Sequence, residues 1–152
     1  MSEWSSFSRD LIEQWPLIAS GLGQTLLLAV LMSITGLLGG IVVLYLTLSP
    51  NAVVRRLTQG YISFFIGMPL IVLLFLMYYG LPQWGVKISP FMVAWLGFTF
   101  NVAAYNAAYL STACNGLDQA ELDAARAQGF SHAQVFALIV LPQVLRLSVP
   151  AL

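Results

Sequence analysis

The sequence predicts an all-α integral membrane protein, and three observations carry that prediction. Hydrophobic residues make up 59% of the chain and charged residues only 8%, where a soluble domain has roughly a quarter of its residues charged. The run from Leu22 to Leu48 holds no charge at all. At about 1.5 Å per residue it outreaches a hydrocarbon core of roughly 30 Å. Two further uncharged stretches follow, residues 57–81 and 90–113, each introduced by breakers such as Ser49-Pro50-Asn51 and Ser89-Pro90. The net charge is zero, which points neither to nucleic acid nor to a polybasic membrane anchor.

Residues 1–20 form a polar, aromatic lead. Acidic residues are mixed in and no basic region runs into an apolar core, so it does not read as a signal peptide. Trp4, Phe7, Leu11, Ile12 and Trp15 recur at roughly helical spacing, which fits a short interfacial helix as well as a loosely held tail. The first span is predicted over residues 22–48. Gly36 and Gly40 lie one turn apart with Gly39 beside them, a face that lets another helix approach closely. Arg55 and Arg56 follow the break, so that end is predicted to be cytoplasmic and the N-terminus outside.

The second span, 57–81, is expected to break or kink at Gly67 and Pro69, since proline removes a hydrogen bond and crowds the preceding turn. Tyr78, Tyr79 and Trp84 mark the outer interface. Ser89 caps the third span, 90–113, which carries Asn101 and Asn106. Amides in a membrane must find partners, so both face protein or a wet cavity. Interhelical bonding is one role for them and substrate contact the other. Gly67, Pro69, Asn101 and Asn106 are the candidate pathway residues. Arg55, Arg56, Arg126 and Arg146 on the inside outnumber Arg9 and Lys87 outside, in keeping with this topology.

Residues 114–141 form a cytoplasmic loop whose core begins at Asp118 and reads DQAELDAARAQGFSHAQV. Asp118 can cap a helix with Glu121 closing a capping box; Ser131 and Gln134 form a second box. Gly129 suits the left-handed residue past a helix end. Asp123 and Arg126 are placed to pair, for at most about 0.5 kcal/mol. The positive end of the helix dipole accounts for Asp118 and Glu121 without any partner. Ala124, Ala125 and Ala127 are harder to explain by solvation; they make a slim helix able to enter a narrow groove. A helix, a glycine corner and a capped helix form a rigid protrusion, and docking is the role it fits. Residues 142–152, with Pro142, Arg146 and Pro150, read as the start of a fourth span whose body is missing.

No catalytic or metal site is visible. His132 has no second histidine or cysteine beside it, Cys114 is single, and there is no Gly-x-x-x-x-Gly-Lys-Ser/Thr loop to cradle nucleotide phosphates. No cofactor is expected on this chain.

Asp123-Ala124-Ala125, then Gly129, then Leu141-Pro142-Gln143 resembles the cytoplasmic Glu-Ala-Ala loop of ABC importer permeases, with the spacing of the branch that imports polar amino acids. The resemblance extends from about Gly21 to the last residue. It implies the MetI-like helix bundle of that family, here truncated after the coupling loop. Asp118, Glu121, Asp123, Ala124, Ala125, Arg126 and Gly129 would then form the element that couples to the ATPase. The implied partners are ABC ATPase subunits that use ATP, a second permease subunit, an external solute-binding protein and the lipid bilayer of a bacterial cytoplasmic membrane. Three departures stand out: Asp123 where the family has Glu, Ile66-Gly67-Met68-Pro69 where it commonly has Arg-Gly-Thr-Pro, and Ala108 and Ser111 where relatives often have Glu and Arg. The expected function is a permease subunit passing a polar amino acid, without enzymatic activity of its own. The competing expectation is a membrane scaffold or a degenerate, inactive copy. An ion-driven carrier is the weaker third, because the three spans hold no charged residue.

Overall fold

The computed structural model describes residues 2–148, with side chains from residue 12 onward. The expectations for Trp4, Phe7, Arg9 and Leu11 as side chains, and for Pro150, lie outside the described residues. Among the described residues there are six helices: α1 (Ser2–Thr47), α2 (Ala52–Gly67), α3 (Leu70–Trp84), α4 (Pro90–Asn115), α5 (Gln119–Ala127) and α6 (His132–Ser148). The last turns of α3 widen into a π turn and then tighten into a 3₁₀ turn, and α6 carries a π turn over Phe136–Val140.

The interfacial lead is not a separate element. α1 runs unbroken through it, with Pro16 inside the helix. Proline's fixed φ is itself helical, so the helix continues through it at the cost of one backbone bond and some crowding of the preceding turn. Gly21 and Gly23 stay within the helix, without the positive φ that a turn would use. Among the described residues, Ile12–Thr47 is the one single helix long and apolar enough to cross a membrane, and α2 with α3 passes the same criterion together, as a broken span or a re-entrant loop. The stretch is apolar on its outside: Leu26, Val30, Ile34, Leu38 and Val42, one turn apart in succession, are each more than half exposed.

α4 is the organising helix. Its 26 residues span about 39 Å at the standard rise, and it touches α1, α2, α3 and α6. Small residues make this possible. A Cβ on Gly36 would lie 2.6 Å from Val102 Cγ1, and one on Gly40 would lie 2.6 Å from Asn106 Cβ. Both are well inside van der Waals contact, so only glycine permits this separation of α1 and α4. Across the same seam Thr35 and Thr99 hydroxyls lie 2.8 Å apart, and Trp95 Nε1–H donates to Thr35 Oγ1 at 3.3 Å. On the other side Gly97 admits Leu74 of α3.

The expected kink in the second span is a full corner: α2 and α3 meet at 101°. Met68 is extended, φ −97° and ψ 127°, the conformation a following proline imposes. Asn51 caps α2 by accepting from Val53 N–H at 2.9 Å, and Ser89 caps α4 by accepting from Met92 N–H at 3.2 Å. The buried core gathers where α1 and α4 end, around Leu44, Leu110, Leu122, Val135 and Val144.

Candidate coupling element and helix corner

α5 is a two-faced helix. Leu122 and Ala125 point into the core, while Ala120, Glu121, Asp123, Ala124, Arg126 and Ala127 are exposed. Ala125 therefore leaves the slim outer face that the sequence suggested for it; at 5% exposure it is an anchor. The spacing explains this, because Ala125 follows Leu122 by one turn and shares its inward side.

Both ends of α5 are closed. Asp118 Oδ1 accepts from Ala120 N–H at 2.9 Å. At the other end Gly129 takes φ +87°, its N–H reaches the Arg126 carbonyl at 3.0 Å, and Phe130 N–H reaches the Ala125 carbonyl at 3.2 Å. That pair of bonds is the Schellman closure, for which a residue of positive φ is required. The next helix opens with the capping box foreseen at Ser131 and Gln134, with both bonds made, at 2.8 and 3.3 Å.

The box foreseen at Asp118 is only half formed. Glu121 does not reach back to its own N-terminus; its Oε2 accepts from Gln143 Nε2 at 2.9 Å. Gln143 lies on α6, so this bond ties the outer face of α5 to the helix beneath it. Gln143 has a place in a sequence motif, but its partner is not legible there, because nothing local links residues so far apart. Asp123 and Arg126 pair at 2.9 Å with side chains 69% and 50% exposed, which leaves both charges available at the surface. Arg55 Nη1 donates to the Ser49 carbonyl at 3.3 Å, and Ser49, Arg126 and His132 line one cavity of about 230 Å³ beside α5. His132 is exposed, and among the described residues no cluster of metal-ligating side chains forms around it.

The pathway candidates divide. Gly67 and Pro69 flank the corner, and Asn101 meets it: its Nδ2 donates to the Phe65 carbonyl at 3.0 Å, and the residue is 9% exposed. Asn106 sits elsewhere, packed on Gly40 in the α1–α4 seam. The two amides are about 7.5 Å apart along α4 and do not converge on one site. Tyr61, unremarked in the sequence, donates its hydroxyl to the Phe100 carbonyl at 2.6 Å.

Residues 36–152 match the family model described as "Binding-protein-dependent transport system inner membrane component". The chain belongs to this family. Curated relatives within it include "Probable amino-acid ABC transporter permease protein YckA" of Bacillus subtilis, 34% identical over 93% of this chain and 62% of its own. "Arginine transport system permease protein ArtQ" of the same organism is 33% identical over 93% and 65%. A solved chain titled "Crystal structure of an amino acid ABC transporter with histidines" superposes with TM-score 0.78 at 30% identity, over 93% of this chain and 66% of that one. The chain thus spans somewhat less than two thirds of these relatives. Its helices follow the all-α arrangement of a binding-protein-dependent permease, and its relatives are transport permeases rather than enzymes.

Proposed function

We propose that this chain forms the membrane-spanning part of an ATP-driven importer for a polar amino acid. The observation that carries the proposal is α5: a short helix pinned on its inner face, closed at both ends and tied to α6 through Glu121 and Gln143, with small and charged residues turned outward. Such an element transmits force without deforming. It docks on a separate ABC ATPase subunit, which hydrolyses the ATP. A second permease subunit completes the pathway, and a solute-binding protein delivers the amino acid from outside. The amino-acid permeases among the relatives support the substrate class.

The chain crosses a bacterial cytoplasmic membrane several times, with its N-terminus outside. Support comes from the exposed apolar stripe on α1 and from Arg55, bonded to Ser49, and Arg126, which lines a cavity with Ser49, at the end of the bundle that the charge rule assigns to the cytoplasm. ATP binding closes the ATPases, α5 moves with them, and α4 carries that motion to the helices packed on it.

The test is reconstitution of the whole transporter in proteoliposomes, with uptake and ATP hydrolysis measured together. Gly129→Glu puts a side chain on a positive-φ residue at the foot of α5. Uptake per ATP is expected to fall sharply while hydrolysis continues. Unchanged uptake per ATP counts against a coupling role for α5.

A further inference from the structure

The corner between α2 and α3 raises a question of backbone accounting. In a helix the carbonyl of residue 65 is bonded by the N–H of residue 69. Here residue 69 is proline, which has no N–H. The main-chain bonds on either side of the corner go elsewhere: Met68 N–H bonds the Phe64 carbonyl, and the N–H groups of Val72 and Leu73 both bond the Pro69 carbonyl. The Phe65 carbonyl receives the Asn101 side-chain amide instead, at 3.0 Å.

We infer that Asn101 is a positioning residue, which holds the 101° corner by supplying the hydrogen bond that Pro69 removes from the Phe65 carbonyl. Three further contacts make α4 a splint across the break. Tyr61 of α2 donates to the Phe100 carbonyl, one residue before Asn101. Phe65 packs its ring between those of Tyr61 and Phe100, at centroid distances of 4.6 and 5.9 Å. Beyond the break, Gly97 of α4 receives Leu74 of α3. Both arms of the corner are therefore referenced to one turn of one helix. With Asn101 buried and water scarce, a carbonyl left without this donor has few alternatives. Asn101, one of the candidate pathway residues, thus acts on backbone. Its consequence for transport rests on the function proposed above; its consequence for the corner does not.

A double-mutant cycle separates this role from simple packing. The whole transporter is placed in lipid nanodiscs, with Cys114→Ala as background and spin labels at Gly60→Cys and Trp84→Cys, both exposed positions on the two arms. Asn101→Leu keeps the volume and removes the donor. With Pro69 present it is expected to lower the unfolding temperature and broaden the label distance, and Asn101→Gln is expected to recover part of both. In the Pro69→Ala background, where residue 69 has an N–H and a helical Met68 would bring it to the Phe65 carbonyl, Asn101→Leu should change neither. Equal losses in both backgrounds overturn the inference and leave Asn101 as packing alone. Where Pro69→Ala does not fold, infrared spectra of protein carrying ¹³C=¹⁸O at Phe65 decide instead: that band moves to higher frequency in Asn101→Leu if the bond exists, and stays if it does not. Uptake per ATP is read on the same variants. A parent that moves no amino acid refutes the proposed function, while the cycle still decides the corner.

Discussion

Replacing Gly40 by alanine tests the claim that glycine sets the distance between α1 and α4. The added Cβ would lie 2.6 Å from Asn106 Cβ and 3.4 Å from both the Ala103 carbonyl oxygen and the Ala107 nitrogen. Carbon atoms rest about 3.5–4.0 Å apart, so the helices must separate by about 1 Å, and the obstacle is a Cβ rather than a mobile side-chain tip. Overpacking of this kind costs about 1–3 kcal/mol. Alanine also returns roughly 1 kcal/mol of helix propensity, which obscures the penalty in a single variant. Gly60→Ala supplies the reference, because that helical position has nothing within 4 Å of the new methyl. The propensity gain is common to both variants and cancels. Gly60→Ala should exceed Gly40→Ala in stability by about 1–3 kcal/mol, a gap of about 2–12 °C in thermal unfolding of the detergent-purified protein for a chain of this size. Gly36→Ala with Gly40→Ala should fall short of the sum of the two, since one separation of the helices relieves both contacts. Equal melting temperatures for the two single variants would mean that glycine does not set the distance between α1 and α4.

Three other outcomes follow from the geometry of α5. Asp123→Asn breaks an ion pair between exposed side chains and should change stability by no more than about 0.5 kcal/mol; a clear loss of uptake per ATP in that stable variant would locate its role in docking. Gln143→Leu leaves Glu121 untied, and the expected result is faster amide exchange across α5 with uptake per ATP reduced, whereas unchanged exchange would mean that the 2.9 Å bond does not hold the helix. Gly129→Ala meets no atom within 4 Å yet takes φ +87°, so it should destabilise by roughly 1–2 kcal/mol through the backbone alone, read by thermal unfolding.

Much of this arrangement is legible in the sequence because it is local. Ser89, Asp118 and Ser131 are capping residues at the start of helices, and Gly129 closes α5 because a Schellman turn needs a positive φ. The Gly36–Gly40 face is legible for the same reason: it is a pattern within one helix. What the sequence hides depends on residues distant along the chain. Glu121 prefers Gln143 to its own N-terminus, a choice fixed only once α6 folds under α5. Ala125 looks like part of a small outer face until Leu122 sets the inward side. Gly67 and Pro69 announce a break but not its angle, because the corner takes its form from the contacts of Asn101, Phe100 and Gly97 on α4. The continuity of α1 through Pro16 was hidden too, since proline permits either outcome at that point.

The central claim is that the outer face of α5 is the surface on which an ATPase subunit docks. A photo-crosslinking side chain placed at Ala124 or Ala127, both exposed on that face, and separately at Trp84 at the far end of the molecule, tests it most directly in cells. Adducts to a P-loop ATPase are expected from Ala124 and Ala127 and none from Trp84. An absence of such adducts from α5, with the protein folded and in the membrane, would contradict it.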